Sequence, residues 1–228
     1  MTAVQAIIQW SDKRISAYPS AAVAVWPEGT HVGVTYTDAS GVQRAIHLAF
    51  HAKLRRELVR ASHGWIPPSR SFLSVRLNHV AAMCERVWER HAIEGLPYGF
   101  RYDSSRFNAD GTISIGAEER GLTCATFILA VYRSVGIELL RLSEWPQRPE
   151  DQAFFEGVIK ALETANADQA HIDAVKKETQ SLRYRPLEVA GGSSFAAPAS
   201  FLDALAAATL IKTELEQHAL GPTKVGGG

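Results

Sequence analysis

His31-Val32-Gly33-Val34-Thr35-Tyr36, then Thr37-Asp38-Ala39-Ser40-Gly41, then Val42-Gln43-Arg44-Ala45-Ile46-His47-Leu48-Ala49-Phe50 decides the fold of this chain. Two runs rich in β-branched and aromatic residues flank a short polar turn, the pattern of a β-hairpin. Side chains alternate between the two faces of a strand. One face then carries Val32, Val34, Tyr36, Ile46, Leu48 and Phe50, which reads as core. The other carries His31, Gly33, Thr35, Ala45, His47 and Ala49. If Tyr36 stands opposite Val42, His31 stands opposite His47, with Cβ atoms about 5 Å apart. A one-residue slip would send the two histidines to opposite faces. Paired imidazoles among small residues suit a general base and the group that orients it, with room for a substrate. The competing reading is a half-exposed sheet with surface histidines.

Downstream, Gly121-Leu122-Thr123-Cys124-Ala125-Thr126-Phe127-Ile128-Leu129-Ala130-Val131-Tyr132 places a cysteine in the first turn of an apolar helix. Phe127, Ile128, Val131 and Val135 follow at helical spacing, and Gly136 sits where a C-terminal cap belongs. Unpaired N–H groups and the positive dipole end at a helix start favour a thiolate, so the spacing predicts a lowered thiol pKa and a candidate nucleophile at Cys124. The alternative is a buried cysteine that only packs.

Composition sets bounds on function. The chain has 228 residues, 46% of them apolar and 21% charged, with 24 Lys plus Arg against 24 Asp plus Glu. That balance supplies no net field for nucleic acid or an acidic membrane. There are two cysteines, Cys84 and Cys124, and no zinc-like spacing, so neither a metal nor a cofactor is expected. Met1 to Trp10 lacks the basic start and cleavage pattern of an export signal, and no uncharged run is long enough to span a bilayer. These features predict a cytoplasmic, reduced protein without a transmembrane segment.

The rest of the chain reads as follows. Residues 3 to 17 fit helix or strand equally, and Ala21 to Trp26 reads as a strand. Residues 51 to 70 read as a charged connector with a short helix, in which His51 is a weaker substitute for His47 and His63 has no evident partner. Ser71 to Ile93 predicts an amphipathic helix, with Phe72, Val75, Val80, Met83, Val87 and Trp88 inward and Cys84 beside them as packing. Leu96 to Tyr102 reads as a strand entry, and Thr112 to Ile115 as a short strand after the turn at Asn108 to Gly111. Past Trp145-Pro146 the character becomes helical. One helix opens at Pro149-Glu150-Asp151, and a polar helical stretch covers 166 to 181. Pro186 to Ser194 reads as a loop, and Ser200 to Asp203 as a capping box before an Ala-rich helix to about 218. Residues from about 221 read as a flexible tail. The implied division is a catalytic domain over 1–147 and a helical extension over 148–228, whose helices offer a possible docking surface for a protein partner.

In the order His, second His, helix-borne Cys, the chain resembles the circularly permuted branch of the papain-like superfamily. That branch includes NlpC-type hydrolases and lecithin:retinol acyltransferase-like proteins. His31-Val32-Gly33-Val34, Ala45-Ile46-His47-Leu48-Ala49 and Thr123-Cys124-Ala125-Thr126-Phe127 carry the resemblance, over roughly residues 20 to 140 in the sense of a sequence-pattern boundary. It implies an α+β fold, with a papain-like core in which a small antiparallel sheet packs on the cysteine-bearing helix. It also implies Cys124 as nucleophile, His31 as base and His47 as orienting residue. The acyltransferases typically show Asn-Cys-Glu-His at the nucleophile and the cell-wall hydrolases Asp-Cys-Ser-Gly, where this chain has Thr-Cys-Ala-Thr. The resemblance therefore implies machinery rather than substrate. Hydrolysis of a peptide, isopeptide or related amide through a thioester is the first expectation. An acyltransferase or lipid acyl hydrolase is the second, and a catalytically silent binding module the third.

Overall fold

A computed structural model of the chain describes residues 8–10, 20–60, 62–69, 71–72 and 74–219. Most of residues 3 to 17, and the tail from about 221, lie outside the described residues.

The hairpin forms as β3 (Val32–Thr37) and β4 (Gln43–Phe50), but in a different register. Val34 stands opposite Ile46 and Tyr36 opposite Arg44, a shift of two residues from the expected pairing. The cause lies in the turn. The Asp38 carboxylate accepts hydrogen bonds from the Ser40 and Val42 N–H groups and from Arg44 Nε at 2.9 to 3.0 Å, which draws Thr37 and Gln43 into the ladder. A shift of two preserves the face of every residue, so the expected split into apolar and histidine faces survives.

Around this hairpin, β1 (Gln9–Trp10), β2 (Ala21–Val25), β5 (Lys53–Leu58) and β6 (Gly64–Ile66) complete an antiparallel sheet in the order β1-β6-β2-β3-β4-β5. The connector expected over 51–70 is thus two strands. Lys53-Leu54-Arg55-Arg56-Glu57-Leu58 hides its period of two because both faces carry charge. Leu54 is nonetheless buried, and Arg56 reaches Glu85 on the helix behind the sheet. The sheet curls strongly. Glu57 on β5 comes within 3.8 Å of His63, which immediately precedes β6, although three strands separate β5 from β6 in the sheet order.

The convex, apolar face packs on α1 (Ser74–His91) and α2 (Cys124–Ser134). Val32, Val34, Tyr36, Ile46 and Leu48 are fully buried there with Phe127, Ile128 and Val131. Cys84 is buried on α1 as expected, whereas Val75, expected inward, is exposed because it lies in the first turn, before the helix meets the sheet. The stretch Leu96 to Tyr102 forms no strand. Its polar atoms are held partly by isolated backbone bonds, Leu122 N–H donating to the Pro97 carbonyl at 3.0 Å, and partly by side chains, Glu178 accepting from Phe100 N–H at 2.7 Å. A small ribbon, β7 (Arg106–Phe107) with β8 (Ile113–Ser114), precedes α2.

The C-terminal third comprises α3 (Gln152–Thr164), α4 (Gln169–Lys176), α5 (Pro186–Gly192) and α6 (Phe201–Ala219). Residues 186–192, expected as loop, are helical because Pro186 starts the helix and Glu188 caps back to the Arg185 N–H. Gly191 and Gly192 let α5 approach closely, since a Cβ at Gly191 would lie 2.6 Å from Ala207 Cβ on α6. α5 packs on β2, β3 and α2. No helix among the described residues is long and apolar enough to cross a membrane.

Candidate active site

Thr123 is the N-cap of α2 and makes a reciprocal capping box with Thr126, each backbone N–H donating to the other's hydroxyl at 3.1 and 2.7 Å. Cys124 is therefore the first residue of the helix. The box occupies the Thr126 N–H and leaves those of Cys124 and Ala125 without intrahelical acceptors. At the other end, Gly136 adopts φ +73° just past the helix, as its C-terminal position required.

The thiol lies where β3 begins. Cys124, His31, Thr30, Ala49 and Tyr98 line one cavity of about 200 Å³. Cys124 is only 7% exposed. Burial pushes its thiol up to about 11, and the Val32, Ala125 and Cys124 N–H groups and Arg183 pull the other way without prevailing. The lowered pKa expected from the helix start is thus corrected: its N–H groups do pull the thiol down, but desolvation exceeds them.

His31 and His47 sit diagonally across the hairpin rather than directly opposite, and still meet. His31 Nε2 and His47 Nδ1 are 2.5 Å apart, with ring planes at 77°. Gly33 makes this possible, because a Cβ there would lie 2.9 Å from His47 Cβ and 2.6 Å from the Ile46 carbonyl oxygen. The contact uses one nitrogen of each ring and leaves His31 Nδ1 as the ring nitrogen not engaged by His47. Trp26 packs against both rings and against His63, with centroids 4.7 to 4.9 Å apart.

Sequence reasoning missed two members of this group. His63 joins it through the curl of the sheet. Glu57 Oε1 stands 3.8 Å from His47 Nε2 and from His63 Nε2. Had Lys53 to Leu58 been read as a strand, parity would have put Glu57 on the histidine face. His47 Nε2 is buried with no hydrogen-bond partner, so the carboxylate beyond it is the nearest charge to favour a proton there. His51 does not substitute for His47. Its Nδ1 accepts from Tyr98 N–H at 3.2 Å, and its ring lies against His171 at 4.4 Å.

Burial lowers His31 to about 4, opposed by Glu28, and lowers His47 to about 3, assisted by His31, Arg55 and His63. Both rings are neutral near pH 7, and the consequence for stability has a definite sign. Above pH 6.5 neither the folded nor the unfolded His47 binds a proton; below it the unfolded chain takes one up first, and stability falls until pH about 3. Denaturant unfolding should show His47→Gln losing about 2–3 kcal/mol less than wild type between pH 7 and pH 4.5. Equal losses in the two proteins would mean that His47 is not held neutral.

Among the described residues, no group of three or more His, Cys, Asp or Glu side chains could hold a metal ion. No family model, curated protein or solved structure matches the chain.

Proposed function

We propose that this chain is a cysteine hydrolase with a papain-like core, cleaving an amide bond through a thioester at Cys124. One observation carries the reading: a capped helix start presents Cys124 to a cavity shared with His31, whose far nitrogen is tied to His47 at 2.5 Å. The separation of thiol and imidazole pKa values supports a neutral resting pair, so deprotonation accompanies attack. A proton on His47 Nε2, favoured by Glu57, makes His47 Nδ1 an acceptor for His31 Nε2–H. His31 Nδ1 is then the base.

In the forward direction His31 Nδ1 takes the thiol proton as Sγ bonds to the carbonyl carbon. The Cys124 N–H receives the oxyanion, and the Tyr98 hydroxyl, kept protonated by burial, is the second candidate donor. The C–N bond breaks as His31 returns the proton to the amine. Water, deprotonated by the same imidazole, attacks the thioester carbonyl; the C–S bond breaks, the acid leaves, and His31 returns the proton to Sγ. His47 and Glu57 act as positioning residues, touching no substrate.

Acyl transfer is the second reading, favoured by the aromatic cavity wall of Phe100, Phe154 and Phe155, which suits an apolar acyl group. Both readings are tested by incubating the full chain with acyl p-nitroanilides, p-nitrophenyl esters and acyl thioesters, quenching in acid and locating the acyl mass. The expected result is acylation of Cys124 and not Cys84, decaying with water. Decay that depends on an added amine or lipid alcohol would assign acyl transfer. No adduct at Cys124 with any donor would replace the enzyme by a binding module.

A further inference from the structure

The cavity is completed by the C-terminal third, and it places one cation there. Phe154 and Phe155 of α3, Arg183 and Tyr184 between α4 and α5, and Pro186 at the start of α5, form its outer wall. The Arg183 guanidinium stacks on the Phe154 ring with its central carbon 3.6 Å from the centroid. Its Nη1 donates to Asp151 Oδ1 at 3.0 Å. That carboxylate is shared: Arg185 donates to the same oxygen at 2.8 and 3.1 Å, and Arg148 to Oδ2 at 3.1 Å. Arg148 also binds Glu188. Three guanidinium groups thus meet three carboxylates, of which Asp151 and Glu188 are buried and Glu150, on Arg185, is exposed. Burial outweighs the help from Asp151 at Arg183 and lowers its pKa, so a further anion beside this guanidinium would offset desolvation. Arg183 also lies at a junction, because a second cavity, running along α5 and α6 towards Lys212, shares Thr30, Arg183 and Pro186 with the first.

We propose that Arg183 is a specificity-determining residue that binds a carboxylate on the substrate, next to an aromatic or bulky apolar group seated on Phe154 and Phe155. This deepens the hydrolase reading and rests on it for the word substrate, but the binding site stands on its own geometry. A carboxylate on the guanidinium edge that Asp151 does not hold would give this cation a second charged partner. The planar cation held on a ring is preorganised for it. Such a carboxylate belongs either to a chain terminus or to an acidic side chain.

Three probes separate these cases in NMR titrations of the full chain. N-acetylphenylalanine has a terminal carboxylate, acetyl-aspartyl-phenylalaninamide a side-chain one, and N-acetylphenylalaninamide none. One of the two acids is expected to bind about tenfold more tightly than the neutral amide, the scale of a charge-assisted hydrogen bond in a partly buried site. Raising the salt should shrink the ratio. Arg183→Gln should bring it to about one, and Arg183→Lys should retain part of it. If Arg183→Gln fails to fold, the ratio in wild type and in Arg183→Lys still decides. Equal binding of acids and amide by wild type, or a ratio that Arg183→Gln does not change, would overturn the proposal. A charge preference without acylation of Cys124 would remove the hydrolase reading and keep the carboxylate site. Acylation without the preference would do the reverse.

Discussion

Cys124→Ala is expected to abolish acyl capture and turnover, with kcat/KM falling at least about 10³-fold, as removal of a nucleophile does. The fold should persist. The thiol borders a cavity rather than filling a void in the core, and alanine keeps both the first helical position and the Thr123–Thr126 cap. A stability loss of about 1–2 kcal/mol is expected from removing one buried sulfur at a cavity wall. Steady-state kinetics on whichever donor acylates the wild type, with urea unfolding alongside, would measure both quantities. Turnover that survives in a folded Cys124→Ala protein would move the chemistry elsewhere. Cys84 offers no alternative nucleophile, since it is fully buried on α1 and burial pushes its thiol well above the usual thiol range.

His31→Gln should lower kcat/KM by about 10²- to 10⁴-fold, the range for loss of a general base acting with its nucleophile. Glutamine can still reach His47, so the contact behind the base is kept while its proton affinity is lost. The pH profile supplies a second reading. In wild type the acid limb of kcat/KM should fall as His31 gains a proton, near pH 4 rather than at the ordinary 6.5, because burial holds the ring neutral. Activity is thus retained above the folded-state value and lost below it. An acid limb near 6.5, or normal rates in His31→Gln, would assign proton transfer to another group. Alkylation of Cys124 by iodoacetamide should correspondingly be slow at neutral pH, since a thiol at about 11 is mostly protonated there.

Much of the arrangement was legible in the chain itself. Alternation along 31–50 assigned the two faces of the hairpin, and it did so correctly even with the register misplaced by two, because a side-chain period of two is blind to even shifts. Helical spacing, an apolar run and Gly136 located α2 and put Cys124 in its first turn. Cys84 was assigned to packing by the same periodicity.

Other features came only from tertiary structure, each for a stated physical reason. The strand 53–58 carries charge on both faces, so no hydrophobic period marks it, and Glu57 was lost with it. The curl of the sheet, a property of strands together, brings His63 to Glu57 across three intervening strands, whereas Glu57 reaches His47 from the adjacent strand. The thiol pKa depends on two opposed effects. The helix start can be read in sequence, but the desolvation that overcomes it is set by residues from every part of the fold. Arg183 is the extreme case: among the five arginines between 133 and 185, nothing local distinguishes it. Its place in the cavity follows from how α3, α4 and α5 close over the site, and its shared partner from a fold that sets three guanidinium groups on the one Asp151 carboxylate.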